Sequence, residues 1–157
     1  MYSHNSIEEW KKVEKTAFSE SLSEILAERN VRPTELAKGA GVSLATVYSW
    51  LSGATEPNLS ALVNMADMFV CSVDFLAGKN ADDYPPATGA ILPPFAERVK
   101  EIMRENGVTS YRLRKISKYD GAYFYNWAHG SEPRLSTLIE LSRLFECSVD
   151  YLIGRIK

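Results

Sequence analysis

The residues of this 157-residue chain with the most versatile chemistry are two histidines and two cysteines, and their surroundings give them little to act with. His4 lies in Ser3-His4-Asn5 and His129 in Ala128-His129-Gly130, unrelated contexts that supply no convergent nucleophile or base. Cys71 and Cys147 are too few for a disulfide framework and have no metal-ligand spacing around them. Each opens the same tetrapeptide, Cys-Ser-Val-Asp, which suits a small buried apolar side chain in a reducing compartment. The adjacent carboxylates Glu8-Glu9 and Asp82-Asp83 belong to surface or linker, and no glycine-rich phosphate loop occurs. The residues therefore predict no catalysis, no metal, no cofactor and no small-molecule ligand.

Composition agrees with a globular protein: 45% of residues are hydrophobic and 24% charged. Apolar stretches are interrupted by charge every few residues, and Met1–Asn5 lacks a basic segment followed by an apolar run. A signal peptide or membrane span is not expected, and the cytoplasm is the expected location. The net charge is −2, unevenly distributed. Residues 1–79 hold seven Lys and Arg against ten Asp and Glu, whereas residues 80–157 hold eleven against ten.

The elements that must position any site are written twice. The segment Phe18 to Lys79 returns from Phe95 to Arg155, at an offset of 77 through Gly53/Gly130 and of 76 from Pro57/Pro133 onward. Matched pairs include Ile25/Ile102, Leu36/Leu113, Lys38/Lys115, Tyr48/Tyr125, Trp50/Trp127, Leu62/Leu138 and Phe69/Phe145. The run Cys71 to Gly78 answers Cys147 to Gly154. Four prolines and an acidic pair between the copies forbid a continuous helix, so 80–94 reads as a semi-rigid linker. Before the first copy, 1–17 reads as an extra helix opening on the capping box Ser6-Ile-Glu-Glu9.

Within each copy the periodicity predicts five short helices and no strand. Phe18, Leu22, Ile25 and Leu26 give the first, ended by Asn30. Pro33 suits the first turn of the second, and Gly41 marks a turn that needs a left-handed residue. Ser43 caps a third helix that ends before Gly53. Leu59 to Phe69 and Val73 to Leu76 supply the remainder. A 3.6-residue period buries Val47 and Trp50 and, in the second copy, Phe124 and Trp127.

Leu36-Ala37, Gly41-Val42, Val47, Trp50, Gly53, Pro57, Leu59, Leu62, Ala66 and Ser72 to Gly78 resemble the Cro and lambda-repressor (XRE) family of helix-turn-helix domains, in both copies. The resemblance implies an all-α fold of two tandem five-helix domains, 18–79 and 95–157. It also implies double-stranded DNA as the partner, with the third helix of each copy in the major groove and the second across the backbone. Carried onto this sequence, the base-facing positions are Ser43, Leu44, Ala45, Thr46 and Ser49 in the first copy. In the second they are Asp120, Gly121, Ala122, Tyr123 and Asn126. The backbone-facing positions are Arg32, Thr34 and Lys38, then Ser110, Tyr111, Arg112, Lys115 and Lys118. His129, at the end of its helix, is expected to cap its own carbonyls.

The second copy departs from the pattern. Arg114 stands where the first has Ala37, and Lys118 where it has Gly41, so its turn must bend differently or strain a residue. Neither third helix carries the Arg, Lys or Gln that reads base edges bidentately, although Asn126 can read adenine. Two functions follow as expectations. One is a transcriptional regulator of the repressor kind, acting as a homodimer or as an intramolecular pseudo-dimer. The other is a protein-interaction module, such as an antitoxin, anti-repressor or adaptor, that kept the fold without DNA contact.

Overall fold

The computed structural model describes residues 4–79, 89 and 91–156, with side chains from residue 17 onward. Ten helices occur among them: α1 (His4–Arg29), α2 (Pro33–Ala40), α3 (Leu44–Leu51), α4 (Leu59–Phe69), α5 (Val73–Leu76), α6 (Phe95–Glu105), α7 (Ser110–Ile116), α8 (Gly121–Ala128), α9 (Leu135–Leu144) and α10 (Val149–Ile153). The described residues contain no strand, only an isolated antiparallel bridge between Asn58 and Arg134. The regular structure of the described residues is thus entirely helical. Most of the linker expected at 80–94 lies outside the described residues.

The expected helix boundaries have local causes. Pro33 occupies the first turn of α2, and Gly41 ends it at φ 72, donating its N–H to the Ala37 and Lys38 carbonyls. Ser43, Asn58 and Ser72 cap α3, α4 and α5 by accepting from the amides of Thr46, Ala61 and Phe75. One expectation fails at the N-terminus. The separate leading helix assigned to 1–17 is continuous with the segment beginning at Phe18, so Ser6 lies inside α1 rather than capping a helix of its own. No Pro or Gly intervenes to break the run.

Phe18, Leu22, Leu36, Val47, Leu62, Met65 and Leu76 are fully buried in one apolar cluster with Trp50, whose ring meets Phe18 edge-on at 6.3 Å. Val99, Ile102, Leu138, Leu141, Val149 and Leu152 are buried in the same way, and the apolar core runs continuously through both sets. Each such side chain contributes about 1.5–3 kcal/mol through removal from water.

Beside this shared apolar core the two halves also meet through reciprocal polar contacts. The Leu59 amide donates to the Pro133 carbonyl and the Leu135 amide to the Pro57 carbonyl, both at 3.0 Å. Glu132 accepts from Asn58 Nδ2 at 3.1 Å and from both the amide and the hydroxyl of Ser60, while Ser136 donates to Glu56 at 2.6 Å. Deeper in, the Asp150 carboxylate accepts from the Val73 and Asp74 amides, and the Asp74 carboxylate from those of Val149 and Asp150, all at 3.0–3.1 Å. Each buried acid therefore satisfies the first turn of the other half's last helix, where orphan N–H groups favour negative charge. Arg155 pairs with Asp150 and Asp67 at 2.8 Å and donates to the Cys71 carbonyl. Lys79 approaches Asp74 at 3.8 Å. Burial, with the Asp74 carboxylate alongside, holds the Asp150 carboxyl above the ordinary aspartate range.

Cys71 is buried and Cys147 half-buried, and burial pushes the Cys147 thiol up, away from its nucleophilic thiolate form.

Candidate nucleic-acid interface

The tight turn at Gly41 and the Ser43 cap fix α3 against α2, with Val47 and Trp50 directed into the core. The opposite face of α3 reaches solvent through Ser43, Leu44 and Ala45, with Thr46 and Ser49 half-exposed. The hydroxyls of Ser43 and Thr46 lie 2.9 Å apart in a mutual hydrogen bond, and the Thr46 amide also donates to Ser43. Their polar capacity is thus partly engaged within the helix, leaving apolar contact from Leu44 and Ala45 prominent on this face. Arg32, Thr34 and Lys38 are exposed on and beside α2, and neither cation makes an ion pair among the described residues.

Tyr48, 55% exposed on the same side of α3 as Leu44, was missed by the sequence reasoning, as was Tyr125, 63% exposed on α8. The signal was present, because the two were matched as a pair and Tyr48 follows Leu44 by one helical turn. A phenolic hydroxyl there can both donate and accept.

In the second half the turn is built without glycine. Lys118 does not adopt positive φ. Instead α7 stops at Ile116, Ser117 takes extended geometry at φ −151, and its hydroxyl donates to the Leu113 carbonyl at 2.7 Å while accepting from the Tyr119 amide at 3.1 Å. Tyr119 is fully buried and donates its hydroxyl to Glu140 at 2.8 Å. Burial and that carboxylate push the phenol far above its usual pKa, so it remains a neutral donor.

This arrangement corrects the expectation for α8, none of whose residues is fully buried. Phe124 and Trp127 are half-exposed rather than core. The physical reason is that Tyr119 fills the space beneath the helix, with Trp127 tilted over it at 5.7 Å and edge-on to Phe95 at 4.8 Å. Tyr123, 36% exposed, meets Tyr119 edge-on at 4.9 Å, so its ring serves packing as well as surface.

The other residues singled out in the second half are exposed: Ser110, Tyr111, Arg112 and Lys115 on α7, and Gly121, Ala122 and Asn126 on α8. Lys115 sits over the Tyr111 ring at 5.3 Å. Two charged positions have internal partners. Lys118 lies 3.9 Å from Glu140, and Asp120 caps α8 by accepting from the Ala122 amide at 3.0 Å. His129 ends α8, with Nδ1 2.7 Å from the Tyr125 carbonyl oxygen and its ring stacked on Tyr125 at 4.0 Å, in accord with the expected capping role.

Helices α2 and α3, joined by a glycine turn and backed by α1, α4 and α5, define a helix-turn-helix unit. Residues 21–77 match the family described as the Cro/C1-type HTH DNA-binding domain. A protein of Haemophilus influenzae (strain ATCC 51907 / DSM 11121 / KW20 / Rd) called "Uncharacterized HTH-type transcriptional regulator" is 27% identical over 108 residues, covering 64% of this chain and 44% of that protein. The chain thus spans less than half the length of this curated relative. No solved structure matches. No helix among the described residues is long and apolar enough to cross a membrane.

Proposed function

We propose that this protein binds double-stranded DNA as a transcriptional regulator of the repressor kind, acting in the cytoplasm and without catalysis. The observation that carries the reading is the solvent-facing surface of α3 beside Arg32 and Lys38, which make no ion pair among the described residues, within a stretch that matches a Cro/C1-type domain. In this reading 18–79 and 95–157 are tandem lambda-repressor-like domains joined by 80–94. Helices α3 and α8 enter successive stretches of major groove, and α2 and α7 follow the phosphates. The reciprocal contacts of Asp74 with α10 and of Asp150 with α5 support an intramolecular pseudo-dimer, one chain supplying what a symmetric pair of subunits supplies elsewhere. A fixed relation between two modules raises the effective concentration of the second and compensates for weak base contacts in each.

Affinity then comes mostly from phosphate neutralisation, because α3 and α8 carry no Arg, Lys or Gln. Lys115→Glu is expected to weaken binding to all duplexes more than Lys38→Glu, since Arg112, Lys115 and Lys118 outnumber Arg32 and Lys38, and to reduce the salt slope by about one unit. Asn126→Ala is expected to relax discrimination at one adenine by roughly 1–3 kcal/mol with the slope unchanged. Selection from a random duplex pool at low salt, followed by salt titrations of these variants, tests the proposal.

The bare third helices favour a second reading, in which the fold serves as a protein-interaction module. Recovery of no motif, with variants indistinguishable across salt, would reject DNA binding and leave that module.

A further inference from the structure

The two halves meet as the subunits of a symmetric dimer do. The Leu59 amide donates to the Pro133 carbonyl and the Leu135 amide to the Pro57 carbonyl, and these residues are matched between the copies, Leu59 with Leu135 and Pro57 with Pro133. Asp74 and Asp150, also matched, cap each other's final helices in the same exchange. Contacts that run both ways between matched positions define a two-fold relation, so the operation that turns this seam onto itself also exchanges α3 with α8. In a dimer of identical subunits that relation sets two identical reading surfaces on the duplex, and the target is palindromic. One chain with two unlike copies is free of that constraint.

The exposed faces of α3 and α8 differ in kind. On α3, Leu44 is 37% exposed and Ala45 is exposed beside it, while the hydroxyls of Ser43 and Thr46 bond each other at 2.9 Å. An apolar side chain in the major groove meets the C5-methyl of thymine, the apolar group on a base edge there. At the matched positions α8 has Gly121 in place of Leu44, with no side chain to offer, and the exposed Asn126 in place of Ser49. Asp120, in place of Ser43, sets a carboxylate at the start of α8 and accepts from the Ala122 amide at 3.0 Å. A side-chain amide reads adenine bidentately and a carboxylate accepts from the cytosine amine, so what α8 can read differs from what Leu44 can read.

We propose, resting on the DNA-binding reading above, that the target is a non-palindromic duplex bound in one orientation, its α3 half-site recognised through thymine methyl groups and its α8 half-site through adenine. Leu44 and Ala45 cover the methyl groups, and Asn126 bonds the adenine. The orientation is fixed because turning the chain round on the duplex lays each helix on the half-site suited to the other. The seam keeps the two helices in register with both half-sites, as a symmetric dimer would, without requiring the half-sites to be alike.

The test is selection by the intact chain, at low salt, from duplexes randomised over about 24 base pairs, room for two half-sites one helical turn apart. The selected sequence then competes with its two symmetrised forms, each carrying one half-site twice. The expected motif has unlike halves and binds at least about tenfold more tightly than either symmetrised form, as loss of a base-specific contact provides. Thymine-to-uracil substitution, which removes only the C5-methyl, is expected to weaken binding about threefold to fivefold in one half-site, as loss of one buried methyl group provides. Leu44→Ala, at an exposed position outside the core, is expected to abolish that sensitivity, because substitution and variant remove the two sides of one contact. A palindromic motif, or a symmetrised form bound as tightly as the selected sequence, overturns the proposal while DNA binding itself stands. So does a uracil effect that is absent, equal in both half-sites, or unchanged by Leu44→Ala. Recovery of no motif overturns the DNA-binding reading, and this proposal with it.

Discussion

Replacing Asp150 by alanine tests whether the two halves are held together by exchanged helix caps. The carboxylate satisfies the buried Val73 and Asp74 amides at 3.0 Å and pairs with Arg155, whose side chain is 2% exposed. Stranding a buried donor costs about 1–3 kcal/mol, and two are stranded here. Arg155 keeps Asp67 and the Cys71 carbonyl, so its charge is not left wholly unpaired. Against these losses stands the relief of a desolvated carboxylate that burial already disfavours. The net expectation is about 3–4 kcal/mol, a large share of the ~5–15 kcal/mol that holds a domain folded. Asp74→Ala strands the Val149 and Asp150 amides, but its cation, Lys79, is 31% exposed and 3.8 Å away, so water replaces the lost partner. Its expected cost is smaller, about 2–3 kcal/mol. Urea unfolding followed by tryptophan fluorescence reads both as a lower midpoint at constant slope. If both variants fall within about 0.5 kcal/mol of wild type, reciprocal capping does not hold the halves together, and if Asp74→Ala is the costlier, the buried Arg155 pair does not set the ranking.

Trp50→Ala is expected to cost about 3–5 kcal/mol, because the ring is 2% exposed. Trp127→Ala should cost about half as much, since its ring is only half-buried; equal shifts in thermal midpoint would contradict the packing described. Val70 ends α4 at φ 53, a left-handed conformation that a β-branched residue adopts at a cost of about 1–2 kcal/mol. Val70→Gly is therefore expected to raise the melting temperature, and a lowered one would mean that packing of the exposed valine outweighs its backbone strain. Ser117→Ala should loosen the turn between α7 and α8 by removing both bonds of its hydroxyl, costing about 1–2 kcal/mol, whereas Gly41→Ala should cost a similar amount through its positive φ alone. Thermal unfolding of the pair would show whether a hydroxyl and a glycine perform the same task.

Much of the helical framework follows from the sequence because its determinants are local. Pro33, Gly41, Ser43 and Ser72 act within one turn of their own positions, and the 3.6-residue period of Leu62, Met65, Ala66 and Phe69 assigns α4 its buried face. The same locality made Arg32, Lys38, Lys115 and Asn126 legible as exposed candidates, since a helix face depends on spacing alone. The tertiary structure decided what depends on distant partners. That Phe124 and Trp127 lie only half-buried depends on Tyr119 occupying the space beneath them, and Tyr119 is held by Glu140, 21 residues away. The pairing of Asp74 with α10 and of Asp150 with α5 joins residues 75–77 positions apart. In the sequence those acids are two copies of one tetrapeptide; only packing of the halves turns each into the other's cap, because an acid's partner is fixed by where the chain brings it, not by its neighbours in order.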